Sequence, residues 1–324
     1  MFVFSVGDVD PGTWYVIDTH AMSMKKVASA KPEIDPGRML HKQIVSYPSL
    51  DGLSIPAYLT LPRDARSALP AVLLIHGGPV ARDDWFWDPV VQMLASRGYA
   101  VLQPQFRGSA GFGDKFEEAG YGQWGLAMQD DVTAGAQWPV SEGLADPSRL
   151  CIYGGSYGGY AAMWGLAKTP DLFRCGISFA GVSDLSFMAK DDSDVNDHAI
   201  GRLIRRKIVG DPEANRQRFD EVSPPKKAAA IKAPVLIAHG DRDTRVPIEN
   251  SEKLVDALRE NHNQVEWMKL RDEVTASPGQ RTSSASSRWS STSWTSTSGR
   301  RHGDSVPQVR STRHAKQPRR ALCR

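Results

Sequence analysis

An α/β architecture, a mostly parallel sheet with helices on both faces, is predicted by three observations. Runs such as PAVLLIHGGP (70–79) and APVLIAHGDRD (233–243) are continuously apolar and end in glycine, as strands buried on both faces do. Stretches of helical period, such as IENSEKLVDALRENH (248–262), stand between such runs. Strand and helix alternate from about residue 41 to residue 273, which implies parallel crossovers. With 324 residues and 40% hydrophobic side chains, the chain can build one large domain or two ordinary ones around a sizeable core.

Taken in order, residues 1–40 contain a β-rich WYVID, then THAMSM, which reads as a turn into another short strand. One hairpin cannot bury a core by itself, so this stretch is expected to be a docked extension or the remnant of a larger β domain. KPEIDPGR, with two Pro and one Gly, reads as a linker. From residue 41, IPAYLTLP is a strand and PAVLLIHGGP a buried strand. PVVQMLASRG is a short helix closed by Gly98, and YAVLQPQFRGS is the next buried strand. QDDVTAGAQWPVSEG is helical, with Asp130 and Asp131 favourable near its positive N-terminal end. RLCIYGGSYGGYAAMWGLAKTP is strand, tight turn and helix. RCGISFAGVSDL, APVLIAHGDRD, the helix 248–262 and the strand QVEWMKL complete the series, and residues 185–230 interrupt it with a polar, helix-leaning insertion.

The net charge of +3 hides two opposed parts. Residues 274–324 hold nine Arg and one Lys against the single acid Asp304, while residues 1–273 hold 30 basic and 36 acidic side chains. The patterned part is mildly acidic and gives no nucleic-acid signal. Three cysteines are too few for a disulfide framework. Cys151 and Cys175 sit in apolar runs and read as buried free thiols. No run of 18 apolar residues predicts a membrane span. The start MFVFSVGDVD lacks a basic region and a long apolar segment, so it does not read as a signal peptide, and the cytoplasm is the favoured compartment.

The chemistry is concentrated at YGGSYGG, where Ser156 occupies a Gly-x-Ser-x-Gly frame from Gly154 to Gly158. The frame follows a strand and precedes a helix, the context in which it presents a nucleophile. The bland alternative is a glycine-rich turn with an incidental serine. An acyl-transfer site also needs donors for a developing oxyanion. The Tyr157 N–H, just after the serine, is one candidate, and the Gly78 N–H in HGGP is the other. HGGP can equally be an ordinary tight turn. An acid is due after a later strand, where HGDRDTRVP offers Asp241 and Asp243; spacing alone does not choose between them. His239, at the end of an apolar strand, reads as structural.

HGGP, FRGSAGFG, GGSYGGY and HGDRDTRVP occur in the order and spacing of the prolyl oligopeptidase family of serine peptidases. The chain resembles most its acylaminoacyl-peptidase and dipeptidyl-peptidase-like branch, over residues 41–273. The resemblance implies an α/β-hydrolase catalytic domain with Ser156 as nucleophile, Asp243 as the acid, a peptide substrate and no cofactor. It also implies that residues 1–40 are the last strands of an N-terminal β-propeller plus a linker.

The family places its general-base histidine about 32 residues after the acid, in a segment resembling Glu-Gly-His-Gly-Phe. Here that count falls on Thr275, in EVTASPG. The genetic code suggests why. Gly-His-Gly-Phe-Thr-Arg can be written GGT CAC GGC TTC ACC CGG. With one G dropped, the same bases read GTC ACG GCT TCA CCC GG, or Val-Thr-Ala-Ser-Pro-Gly, which is residues 274–279. A frameshift after Glu273 is therefore expected. Of the 51 residues that follow, 18 are Ser or Thr and four are aliphatic, so a disordered tail is expected too. His302 and His314 come after Asp243 in chain order but lie in that tail.

Three readings of activity stay open: a serine peptidase acting through an acyl-enzyme, a carboxylesterase or lipase-like hydrolase on the same site, and a catalytically silent chain. Trp85, Phe86 and Trp87 could line a substrate pocket or pack their own loop. Arg107 could meet a substrate carboxylate or form a structural ion pair. Asp192, Asp194, Asp197 and His198 invite a metal reading, but their polar loop has no fixed ligand geometry and reads as a solvated face.

Overall fold

The structure, a computed structural model, describes residues 1–65, 67–190, 203 and 206–274. A three-stranded antiparallel sheet, β1 (Phe2–Ser5), β2 (Thr13–Asp18) and β3 (Ser23–Ser29), precedes the main body. The main sheet has eight strands: β4 (Lys42–Pro48), β5 (Ser54–Thr60), β6 (Leu69–Ile75), β7 (Ala100–Pro104), β8 (Ala145–Gly155), β9 (Cys175–Phe179), β10 (Val235–Gly240) and β11 (Val265–Leu270). They run in the order β11-β10-β9-β8-β6-β7-β5-β4. Every neighbouring pair is parallel except the two that β5 makes, with β4 and with β7. This is the α/β-hydrolase fold.

The helices bounded by described residues include α1 (Pro89–Ser96), α2 (Asp114–Glu118), α3 (Ala127–Ser141), α4 (Tyr157–Lys168), α5 (Leu185–Lys190), α6 (Arg216–Glu221) and α7 (Glu249–Glu260). Local chemistry sets their ends. Asp88 caps α1 by accepting the N–H groups of Val90 and Val91 at 2.7 and 3.0 Å, with Pro89 in the first helical position. In α7, Leu254, Val255 and Leu258 are buried together on one face while Glu252 and Glu260 stay out. The core fills the space between strands and helices with Leu73, Ile75, Ile152 and Ile237 from the sheet, and Val132, Met163 and Leu258 from the helices.

The strand order positions the site. From β6 the chain crosses to β7 on one side, whereas β8, the other neighbour of β6, leads away to β9. Crossovers that part in this way leave a crevice at the carboxyl ends of β6 and β8. The loops leaving those two strands carry HGGP and YGGSYGG.

Several elements differ from expectation. The N-terminal stretch holds three strands where two were read, because β1 pairs with β2 through Phe2–Val16 and Phe4–Trp14. Strand β4 and the short α2 were not singled out. The two cysteines are not free thiols: Cys151 and Cys175 form a disulfide, with Cα atoms 4.8 Å apart. They are register partners on the parallel strands β8 and β9, and side chains of register partners emerge on the same face. Among the described residues no helix is long and apolar enough to cross a membrane. The Asp192, Asp194, Asp197 and His198 cluster, His302, His314 and the tail from Thr275 lie outside the described residues.

Candidate active site

Strand β8 ends at Gly155 and α4 begins at Tyr157, so Ser156 alone makes the turn. It takes φ +56°, ψ −121°, a conformation costly for a residue with a Cβ. The surroundings hold it there. Its N–H donates to the Phe179 carbonyl on β9 at 2.9 Å, and its carbonyl accepts the Tyr160 N–H at 3.2 Å. The turn is tight enough to exclude side chains: a Cβ on Gly158 would run into the Ile75 carbonyl, and one on Gly154 into the Gly158 backbone. Ser156 therefore stands at the positive end of α4.

The loop after β6 closes on the serine from the other side. A Cβ on Gly77 would lie 3.4 Å from Ser156 Cβ and 3.9 Å from Oγ. Gly78 takes φ +123°, a region that favours glycine. Neither the Gly78 N–H nor the Tyr157 N–H donates to another group among the described residues. Both N–H groups belong to the segments that leave β6 and β8.

The acid loop leaves β10 two strands away. Phe179 accepts from Ser156, and Ala180 donates to the Ala238 carbonyl at 2.8 Å, so a backbone ladder links the two loops. At roughly 4.8 Å per strand, the ends of β8 and β10 are about 10 Å apart. The Asp243 side chain is 2% exposed. Its Oδ1 accepts the N–H groups of Arg245 and Val246 at 2.8 and 3.0 Å, and its Oδ2 lies 3.4 Å from His239 Nε2. Asp241 is exposed and faces the end of β11, where it accepts the Asp272 N–H at 2.7 Å. The two acids that spacing left equal are thus unlike in burial and in hydrogen bonding.

The described histidines have other partners or other places. His239 is buried, with Nδ1 2.7 Å from Ser251 Oγ and Nε2 donating to the Val246 carbonyl at 2.8 Å, in keeping with a structural reading. His76 binds the Gly77 carbonyl and Ser109. His41 pairs with Asp8, and His20 and His262 sit in turns after β2 and α7.

Arg107 is a structural ion pair. Its Nε and Nη2 donate to Asp131 at 2.9 and 2.8 Å, and its two Nη atoms donate to Asp51 at 2.8 and 2.9 Å. Of the aromatic trio, Trp85 meets the Tyr58 ring edge-on at 5.4 Å, and Trp87 donates to Met39 Sδ at 3.4 Å. Phe86 is 53% exposed. Two titratable groups were missed. Burial, reinforced by Asp88, pushes the Asp83 carboxyl up to about 7, and burial pushes His76 down to about 4. His76 was quoted within HGGP, where a histidine between a buried strand and two glycines was the available signal.

A model of the prolyl oligopeptidase family (Peptidase_S9) matches residues 85–289. Over 273 residues the chain is 37% identical to dipeptidyl aminopeptidase BIII of Pseudoxanthomonas mexicana, covering 81% of this chain and 39% of that one. Over 210 residues it is 29% identical to acylamino-acid-releasing enzyme 2 of Oryza sativa subsp. japonica, covering 63% of this chain and 27% of that one. A solved puromycin-hydrolyzing peptidase of Mycobacterium tuberculosis superposes with TM-score 0.76 at 26% identity, over 85% of this chain and 42% of that one. The chain spans less than half the length of each of these relatives.

Proposed function

Since the chain belongs to the prolyl oligopeptidase family of serine peptidases, we propose that it carries that family's acyl-enzyme site, with Ser156 as nucleophile and Asp243 as the acid. The Gly78 and Tyr157 N–H groups would hold the oxyanion. The substrate class is short peptides, supported by the names of the dipeptidyl- and acylamino-acid-releasing relatives. No nucleic acid, membrane, metal or cofactor enters this reading. The observation that carries it is Ser156 at positive φ in the single-residue turn between a parallel strand and a helix, with the Gly77–Gly78 loop packed against it.

The chemistry needs a base between Ser156 and Asp243, to take the hydroxyl proton and return it to the leaving amine. Near residue 275, where the family resemblance puts that base, the sequence has Val274 and Thr275 instead of Gly-His. A serine without its base is a weak nucleophile at neutral pH, and losing the base of such a triad costs on the order of a million-fold in turnover. The chain as written is therefore proposed to turn over slowly, and the frame change after Glu273 is the proposed origin. The N-terminal sheet β1–β3 is proposed to be the end of a larger β domain that would narrow access to the crevice.

The test compares the full chain, Ser156→Ala, and Val274→Gly/Thr275→His with aminoacyl and dipeptidyl amides, short acyl esters and a fluorophosphonate probe. Expected are slow labelling that Ser156→Ala abolishes, and amide cleavage that the double substitution raises by orders of magnitude. Turnover of esters alone in both forms would favour a carboxylesterase. Labelling indistinguishable from Ser156→Ala in both forms would refute the site. An unbroken upstream reading frame across codon 273 would refute the frame change.

A further inference from the structure

Residues 76–88 carry the chain from β6 to the cap of α1, and Asp83 anchors this loop on β7. Gln103 and Gln105 stand two residues apart along β7 and its continuation, so their side chains emerge on one face, and both residues are 1% exposed. The Gln105 amide clasps the Asp83 backbone from both sides. Its Oε1 accepts the Asp83 N–H at 3.1 Å, and its Nε2 donates to the Asp83 carbonyl at 2.9 Å. The same loop also holds the chain that follows β7, since the Ala81 carbonyl accepts the Ala110 N–H at 2.9 Å.

Gln103 meets the Asp83 side chain, and there donors run short. Its amide hydrogen-bonds to the carboxyl, yet Asp83 Oδ2 and Gln103 Oε1 are both buried with no donor among the described residues. An ionised carboxylate only accepts, whereas an amide has one donating and one accepting side. Turned either way, the amide leaves one oxygen against another. A proton on the carboxyl removes the conflict: the acid O–H donates to the amide oxygen while the amide N–H donates to the carboxyl. Asp84 and Asp88 face the carboxyl from its own loop, Lys42 from β4 and Tyr58 from β5. Lys42 gives its ammonium to the Asp84 carbonyl at 3.1 Å and lies 5.2 Å over the Tyr58 ring, and Arg82 pairs with Asp84 at 2.8 Å. Burial and Asp88 outweigh Lys42, so the carboxyl keeps its proton up to about 7.

We infer that Asp83 and Gln103 form a carboxylic acid–carboxamide pair, and that its single proton is a pH-sensitive latch holding the loop 79–88 onto β7. This loop continues from the Gly77–Gly78 turn that packs against Ser156, and it carries Trp85 and Phe86. Opening the loop exposes the carboxyl to water, where it releases the proton. The latch therefore weakens as pH rises from the ordinary carboxylate range to about 7, beyond which the closed loop has lost the proton as well. It operates whatever the role of Ser156.

The experiment measures hydrogen exchange of residues 79–88 by mass spectrometry, corrected for the intrinsic rate at each pH, in the full chain, Asp83→Asn and Gln103→Leu. In the parent, protection is expected to fall about tenfold per pH unit up to about 7 and then to level off. Asn keeps the pair without a titrating proton, since its amide N–H donates where the acid O–H did, so Asp83→Asn should hold its protection level over the same range. Gln103→Leu removes the amide and should lose protection already at acid pH. Protection independent of pH in the parent overturns the inference, and so does a Gln103→Leu chain protected like the parent. A fall in Asp83→Asn as steep as the parent's also overturns it, because other groups would then be the cause. Infrared spectroscopy supplies a readout that does not depend on loop motion. Below pH 7 the parent should show a protonated carboxyl band that Asp83→Asn lacks. A spectrum without that band means an ionised Asp83 whose oxygens meet water, and overturns the pair.

Discussion

Arg107 offers five N–H donors in a rigid fork, and the fold uses them on two carboxylates. Asp131, with a side chain 0% exposed, receives the backbone N–H, Nε and Nη2, while Asp51 at the surface receives both Nη atoms. Ser49 adds a hydroxyl to Asp131 at 2.5 Å. Removing the guanidinium leaves a buried carboxylate without its counter-charge. Arg107→Met is therefore expected to cost about 3–5 kcal/mol in urea unfolding, and Arg107→Met/Asp131→Asn distinctly less than Arg107→Met alone. The sequence marked Arg107 as a salt-bridge candidate but read Asp131 as a helix-end charge. Its neighbour Asp130 lies in the first turn of α3 and pairs with Lys168 at 2.6 Å. Adjacent acids on a helix point in different directions, and only the placement of β7 decides which one meets the arginine.

Strand β8, the turn at Ser156 and helix α4 form the unit most fully legible beforehand. The signal was local: an apolar run, a Gly-x-Ser-x-Gly turn whose outer glycines have no room for bulk, then a helical period. Gly158 shows why the spacing is fixed, because its α-carbon packs against the end of β6 with no space for a methyl group. Gly158→Ala is expected to push α4 off the sheet, lower the thermal midpoint by several degrees and abolish fluorophosphonate labelling. A variant that stayed as stable and as reactive as the parent would contradict the close approach. Other elements were less legible. Strand β4 lies at the sheet edge with Ile44 75% exposed, so its pattern lacks the continuous apolar run of a central strand. The disulfide depends on β8 and β9 being neighbours in register, and cysteines 24 residues apart carry no local mark of that.

Over the whole chain, buried groups set opposite limits on stability against pH. His76 is held down to about 4 by burial, so the unfolded chain binds its proton more readily; that stabilisation is complete above the ordinary histidine range and fades as pH falls toward 4. Asp51, held at about 2 first by its hydrogen bond to Arg107, adds to the loss at lower pH. Asp83 has the opposite sign. Its carboxyl is raised to about 7, so the folded state keeps a proton that the unfolded chain releases, and this stabilisation is lost progressively as pH rises from the ordinary carboxylate range to about 7. Across that range the two groups act with opposite sign, so on their account the thermal midpoint should change little between about pH 4 and 7, and Asp83→Asn should make it rise with pH over the same interval. A midpoint that stayed level in Asp83→Asn would assign the balance to other groups. By itself the sequence determined the alternation of strand and helix, the serine at its turn and the order of the loops that carry chemistry. These follow from hydrophobic period and glycine sterics, which act within a few residues. Only the tertiary structure decided which acid meets Arg107, that Cys151 finds Cys175, and that His76 is neutral and bonded to the Gly77 carbonyl. Those outcomes depend on which strands become neighbours and how much water they exclude, and no short window of sequence contains either.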